Sequence, residues 1–163
     1  MSDHTEFSGF IYSVPDENKA DLALILTEWG FGQDWSARYR DWQVADVDRL
    51  VDEKVNFTCD QFRCGDTEEL AGILKDLRCV FEIHEDPKYE WLGTLCMYHP
   101  DLGMLASQCD ADGSPLVSVN QVLKLIKDGY SPAERAEAIE RMLGLDYLEK
   151  FRELTIEEND DGE

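Results

Sequence analysis

The sequence predicts an α+β fold: a ferredoxin-like (βαββαβ) core, an extra antiparallel hairpin and a C-terminal group of short helices. Residues 55–112 follow the pattern strand, helix, strand, strand, strand. Two amphipathic helices, each of which follows a predicted strand in the sequence, are related by an offset of 48 residues. After Gly113 the hydrophobic period is helical. We therefore divide the chain into an acidic sheet domain (1–113), a helical segment packed on it (114–154) and a disordered acidic tail (155–163).

The first strand and the first helix are predicted from residues 7–30. Residues 7–14 are rich in aromatic and β-branched side chains, which favour a strand, and Pro15 ends it. A helix then begins near Asn18 and ends before Gly30. Its apolar stripe consists of Leu22, Ile25, Leu26 and Trp29.

A second helix repeats the pattern of the first. The aligned positions are Asn18, Asp21, Leu22, Ile25, Leu26 and Trp29 with Asp66, Glu69, Leu70, Ile73, Leu74 and Leu77. Two strand–helix units, with pairing strands between and after them, form the ferredoxin-like arrangement. The alternative is that any two amphipathic helices share such spacing.

Residues 31–54 allow two interpretations. Residues 39–47 could form the second strand of the core, whereas residues 46–53 could form a short helix. We prefer the strand, followed by an irregular acidic loop.

The central stretch gives the clearest local signals. Apolar and polar side chains alternate along residues 55–60, as in a half-buried strand. Residues Asp66 to Glu69 resemble a helix capping box. Residues 79–85 alternate again, and residues 91–98 and 104–109 are two further strands, joined by a turn around Pro100 and Gly103. The last two strands form the predicted hairpin.

Three helices are predicted after Gly113. A capping box at Ser118 and Gln121 begins the first, and Ser131 followed by Pro132 begins the second. The apolar stripe of the first helix consists of Val119, Val122, Leu123 and Ile126. The second helix is predicted to face inward with Ala136, Ile139, Met142 and Leu143. A third helix is suggested by Leu145, Leu148, Phe151 and Leu154.

Charge is the outstanding feature of the composition. Thirty-six acidic side chains face fifteen basic ones, giving a formal net charge of -21. The excess lies in the sheet region and the tail, whereas the helical segment is balanced. Such a field disfavours direct binding to nucleic acid or to an anionic membrane, and it favours a basic partner. No membrane-spanning stretch or signal peptide is recognisable, so we expect a soluble, cytoplasmic protein.

The cysteines predict neither disulfides nor a metal site. Four of the five, Cys59, Cys79, Cys96 and Cys109, fall in or beside strands as small core residues, and Cys64 does not. Cys59 and Cys64 lack the second ligand pair that a zinc site needs. Residues 110–113 resemble part of a calcium loop, but Gln108 and Val119 occupy its first and last ligand positions.

Part of the chain resembles a known group of proteins. The matching residues are Trp29-Gly30, Trp35, Val55-Asn56-Phe57, Glu69-Leu70, Leu74, Val80-Phe81-Glu82, Glu85 and Gly93. Through residues 25–105 the chain is similar to small phage- and plasmid-encoded proteins that have a ferredoxin-like domain and no established chemistry. The resemblance implies an origin in a mobile element and a protein that interferes with host machinery.

The sequence shows no G-x-S-x-G motif and no glycine-rich phosphate loop, so we predict a non-enzymatic protein with no cofactor and no metal. Rows of carboxylates imitate nucleic-acid phosphates, so the protein is predicted to block a basic, nucleic-acid-handling host protein. The predicted partner-binding residues are Asp46, Asp48, Asp52, Glu53, Asp60, Glu82, Glu85, Asp86 and Glu90.

One alternative function is that of an adaptor or homodimer that uses the C-terminal helices, with the acidic residues serving solubility only. Another is a small enzyme or metal protein without a local motif.

Overall fold

The structure is a computed structural model that describes residues 3–33, 41–89 and 91–160, with side chains as far as Ile156. The strands are β1 (His4–Ser13), β2 (Gly32–Gln33), β3 (Phe57–Arg63), β4 (Val80–Glu85), β5 (Gly93–His99) and β6 (Gly103–Cys109). The helices are α1 (Lys19–Glu28), α2 (Val44–Asp52), α3 (Thr67–Asp76), α4 (Val119–Lys127), α5 (Pro132–Leu143) and α6 (Leu145–Asp160). A short 3-10 turn, Asp16–Asn18, precedes α1.

The six strands form one antiparallel sheet in the order β2-β3-β1-β4-β5-β6. The predicted α+β class is therefore confirmed. The predicted hairpin is also confirmed, since β5 and β6 pair from Gly93 and Cys109 to His99 and Gly103.

The main core lies between one face of the sheet and the helices α1, α2 and α3. Phe7 lies at its centre, with ring centroids 5.2 Å from Phe31 and 4.3 Å from Phe62. Leu26 of α1, Leu50 of α2 and several other side chains complete it. We call this side of the sheet the first face.

A smaller core lies on the second face, under α6. It contains Val80, Leu95, Met97, Cys109 and Phe151, and Phe151 is fully buried. The hydroxyl of Tyr147 on α6 lies 3.1 Å from the carbonyl oxygen of Met97 and 2.7 Å from that of Gly103, which fixes the helix to β5 and to the start of β6.

The preferred prediction of a second strand over residues 39–47 is wrong where the structure describes it, because Val44 to Val47 begin α2. The helical alternative for residues 46–53 is the better one. Val47 and Leu50 are buried on one side of α2, and Gln43 and Asp46 form a reciprocal capping box. The second strand is β2, which has only two residues. Residues 39 and 40 lie outside the described part of the chain.

The two related helices lie where the 48-residue offset predicts them, since α1 begins at Lys19 and α3 at Thr67. The amide of Asn18 also donates a 2.8 Å hydrogen bond to the carbonyl of Leu77, so the helix ends meet. The predicted capping box of α3 is wrong, because the Asp66 side chain makes no capping hydrogen bond.

The C-terminal helices have the predicted starts but not the predicted burial. Both capping boxes are present, and Gly144 ends α5 with a φ of 69°. Only Leu125 of α4 is buried, and no residue of α5 is. The acidic run predicted to be disordered from residue 155 is helical as far as Asp160, where α6 ends. Thr155 is buried there, and its hydroxyl donates to the carbonyl of Phe151.

Candidate binding surfaces

The second predicted acidic row does not form one surface. Neighbouring residues of a strand point to opposite faces, so Glu82 and Glu85 are on different sides of β4. Glu85 is only 4% exposed and accepts a 2.8 Å hydrogen bond from the backbone N–H of Gly65. Burial raises the pKa of this carboxyl. Glu90, the last member of the row, lies outside the described residues.

Glu82 belongs to a polar cluster on the second face. It accepts a 2.9 Å hydrogen bond from the Tyr12 hydroxyl, and Arg152 of α6 lies 3.5 Å from its other oxygen. Burial, with the nearby Glu82 charge, raises the pKa of Tyr12. Asp86 is half-buried and lies 3.3 Å from Nδ1 of His84, and burial raises its pKa. These carboxylates are therefore engaged within the protein.

The first predicted row divides in a similar way. Asp46 caps α2, and Asp48 forms a 2.6 Å ion pair with Lys19 of α1. Asp52 and Glu53 are exposed at the end of α2. Cys59 packs against the main core, so strand alternation places Asp60 on the second face, away from α2.

Exposed acids lie on α1, α2 and α3 of the first face or on the residues that flank these helices, and we call this set the acidic helical layer. Its members are Asp16, Glu17, Asp21, Glu28, Asp52, Glu53, Glu68, Glu69 and Asp76. They outnumber the basic residues of the same elements. Lys19 bridges Asp16 and Asp48, and Arg78 pairs with Glu17, so part of the basic charge is neutralised locally.

Three carboxylates of the acidic helical layer occupy unfavourable positions. Glu28, Asp52 and Asp76 are the last residues of α1, α2 and α3. Carboxylates at a helix C-terminus are repelled by the helix dipole, at a cost of about 0.3–1 kcal/mol each. Their placement does not serve the stability of the helices.

A small cavity of about 220 Å³ lies beside the polar cluster of Glu82 and Arg152 on the second face, and sequence reasoning missed it. Ser8 and His84 are directly opposite in the β1–β4 register, and His84 contacts Asp86, so serine, histidine and aspartate lie close together. Nε2 of His84 is the nitrogen that would take a proton from a serine. It lies 3.2 Å from the carbonyl oxygen of Asp110 and is therefore already engaged in a hydrogen bond. The geometry is thus not that of an activated nucleophile. Only the pairing of strands distant in sequence could have revealed this cluster.

The five cysteines are free thiols. Cys79, Cys96 and Cys109 are buried, and burial raises the pKa of each to about 12, so these thiols are poor nucleophiles. Within residues 3–33, 41–89 and 91–160, no group of three or more histidine, cysteine, aspartate or glutamate side chains is placed to hold a metal ion.

The helix α4 exposes apolar side chains. Along one side of α4, which we call the α4 stripe, Val119 is 74% exposed, Leu123 43% and Ile126 47%. Leu116 and Tyr130 extend the stripe at its two ends. An amphipathic helix usually buries its apolar side, and an exposed side of this kind is typical of a docking site.

A groove of about 580 Å³ lies where α5 meets α6, and we call it the α5–α6 groove. It is lined by Leu105, Glu137, Glu140, Arg141, Gly144, Leu145, Asp146, Tyr147 and Glu149. Gly144 makes the sharp joint possible: its φ is positive, and a Cβ there would lie 2.9 Å from Cδ1 of Leu105. The groove therefore combines apolar side chains with four carboxylates and one guanidinium, that of Arg141.

The protein is thus an α+β protein with a six-stranded antiparallel sheet, with exposed carboxylates on the helices of the first face and exposed apolar side chains on α4. The chain belongs to the DUF3145 family, a family of unknown function, whose model matches residues 27–159 and so includes every element from β2 to α6. No curated protein and no solved structure gives a significant match. In the part of the chain that the structure describes, no helix has the length and apolar character to span a membrane.

Proposed function

We propose that the protein is a non-enzymatic binding protein whose acidic helical layer occupies a basic, nucleic-acid-binding site on another protein. The observation that carries the proposal is the concentration of exposed carboxylates on the helices of the first face. Three of them end helices against the helix dipole, which acidity for solubility alone does not require. The mechanism is electrostatic competition for sites that bind phosphates, and this competition weakens with salt.

A four-residue variant tests this role. The substitutions Glu28→Gln, Asp52→Asn, Glu53→Gln and Asp76→Asn remove four charges from the acidic helical layer, and we call this the layer-neutral variant. The matched control removes four exposed charges elsewhere, with Asp101→Asn, Asp112→Asn, Asp128→Asn and Glu153→Gln. Both variants keep side-chain size, so they differ mainly in where the charge is lost.

The wild-type protein and both variants are used to capture partners from nuclease-treated host lysate, with elution by a salt gradient and identification by mass spectrometry. Competition with labelled duplex DNA for the purified partner follows. We expect a DNA- or RNA-binding partner that wild type and control displace from DNA and that the layer-neutral variant does not. Equal competition by both variants would remove the acidic helical layer from the mechanism.

The second candidate function is an adaptor or dimerising protein that docks through its C-terminal helices, with acidity serving solubility. The exposure of the α4 stripe favours it. Salt distinguishes the candidates, since contacts through the apolar stripe persist at high salt and contacts through carboxylates do not.

We further infer a ferredoxin-like core for β1 to β4. Supporting it are the order β2-β3-β1-β4 and the helices α1 and α3, which connect β1 to β2 and β3 to β4. An experimental structure superposed on ferredoxin-like domains checks this. A mobile-element origin and a cytoplasmic location also remain proposals, checked by the genomic neighbourhood and by cell fractionation.

A further inference from the structure

The α4 stripe and the α5–α6 groove have complementary properties. Lys127 lies one turn after Leu123 and flanks the stripe on α4, and Lys124 lies one turn before Lys127. The segment just before this helix carries no charge. The groove is lined by the carboxylates of Glu137, Glu140, Asp146 and Glu149 and by one guanidinium, that of Arg141, so its lining is net acidic. Glu137 lies 3.7 Å from Arg141 and Asp146 lies 2.9 Å from Lys150, whereas Glu140 and Glu149 are exposed. An amphipathic helix with a lysine beside its apolar side matches a groove whose lining is net acidic.

The protein's own α4 does not fill the groove. The side chains of the stripe are exposed, and Leu125 is the buried residue of this helix. Leu145, which lines the groove, is 46% exposed. Each copy of the protein therefore has both halves of the complementary pair unfilled.

We propose that α4 of one copy docks in the α5–α6 groove of a second copy, and that the second copy docks its α4 in the first, forming a symmetric dimer. This inference names the partner in the second candidate function and depends on it. Because each copy supplies both an α4 stripe and a groove, the two contacts of the dimer use all of these surfaces, and assembly stops at two chains. The helical segment has balanced charge in a strongly acidic molecule, and it is the part where two copies repel each other least.

Two charge-reversal variants test the dimer. One carries Lys124→Glu and Lys127→Glu on α4, and the other carries Glu137→Lys and Glu140→Lys on the groove. Each variant alone places like charges across both contacts, so we expect dimerisation at least about tenfold weaker than in the wild type. In an equimolar mixture of the two variants, opposite charges meet in both contacts, and dimers should return.

Mass is measured by sedimentation equilibrium on the full chain of 18.7 kDa at about 100 µM, far above a micromolar Kd. Circular dichroism checks that both variants are folded. A wild-type protein that is monomeric at this concentration overturns the inference, and so does a mixture that stays monomeric. If the protein is monomeric but captures another protein, and Leu123→Asp abolishes that capture, the dimer is excluded. The α4 stripe would then be a docking site for a different protein. The acidic helical layer is untouched in all of these variants, so its competition assay gives an independent result.

Discussion

Gly9 lies in the middle of β1, where two large side chains of the main core approach the backbone. A Cβ atom at this position would lie 2.5 Å from Cζ of Phe57 and 2.9 Å from Cγ2 of Ile83. We expect Gly9→Ala to lower the free energy of unfolding by about 1–3 kcal/mol, because the packed rings must shift. Urea unfolding followed by circular dichroism measures the effect.

Gly72 in α3 is the matched control, since nothing lies within 4 Å of an added Cβ there. Gly72→Ala should raise the free energy of unfolding by about 0.5–1 kcal/mol, because alanine favours a helix over glycine. If both substitutions gave the same change, the close approach at Gly9 would not be a feature of the folded protein.

Glu85 gives a prediction about pH. Burial raises its pKa above the ordinary value of 4.5, so the folded protein binds its proton more tightly than the unfolded chain does. Stability from this group is present at low pH and is lost as pH rises through the raised pKa. In the variant Glu85→Gln this loss is absent, so the wild type should become less stable relative to the variant as pH rises from about 4.5.

Urea unfolding of the wild type and of Glu85→Gln, repeated across this pH range, measures the difference. Gly72→Ala, which changes no titratable group, serves as the control, and its difference from the wild type should be the same at every pH. A constant difference between the wild type and Glu85→Gln would contradict a buried carboxyl at this position.

Among the elements, those with local signals could be predicted from sequence. The β5–β6 hairpin was predicted because alternation and the turn residues lie within one short stretch. The strand β2 could not be predicted, because two residues carry no pattern and Gly32–Gln33 is held by pairing with β3, distant in the chain. The helical alternative for α2 was available in the spacing of Val47 and Leu50, yet residues 39–47, which overlap its start, also fitted a strand.

The candidate surfaces were less predictable than the elements. Helical period shows which residues of α4 share a side, but it does not show whether that side is covered. Val119 and Leu123 belong to the predicted stripe of α4, and both are exposed. Net charge predicted an acidic protein, whereas the division of carboxylates between faces depends on packing. Alternation along β4 separates Glu82 from Glu85, and the burial of Glu85 follows only from the neighbouring strands.

The helix α6 is the element that attaches the C-terminal segment to the sheet. Phe151 is fully buried between this helix and the second face, whereas Ile156 is 60% exposed. We expect Phe151→Ala to cost about 3–5 kcal/mol of unfolding free energy and Ile156→Ala less than about 0.5 kcal/mol. Urea unfolding with amide hydrogen exchange along β5 measures both. Equal midpoints for the two variants would show that α6 is not part of the fold's core.

For the whole molecule, the net charge of -21 opposes folding through self-repulsion. Screening by salt reduces this repulsion, so the melting temperature of the wild type should rise with sodium chloride. The layer-neutral variant removes four of the charges, three of them at helix C-termini, and it should be more stable than the wild type at low salt by about 1 kcal/mol or more. Its melting temperature should also depend less on salt.

This gain in stability is what makes the variant informative about function. A carboxylate that lowers stability and binds nothing could be substituted without loss of function. A carboxylate that binds a basic partner is retained at its unfavourable position because the binding function requires it. A layer-neutral variant that is more stable than the wild type and has lost the partner would link the cost directly to binding. A variant that is more stable, equally soluble and still bound to its partners would contradict a binding role for the acidic helical layer. Calorimetric melting at low and high salt, run on the same samples as the competition assay, decides between these outcomes.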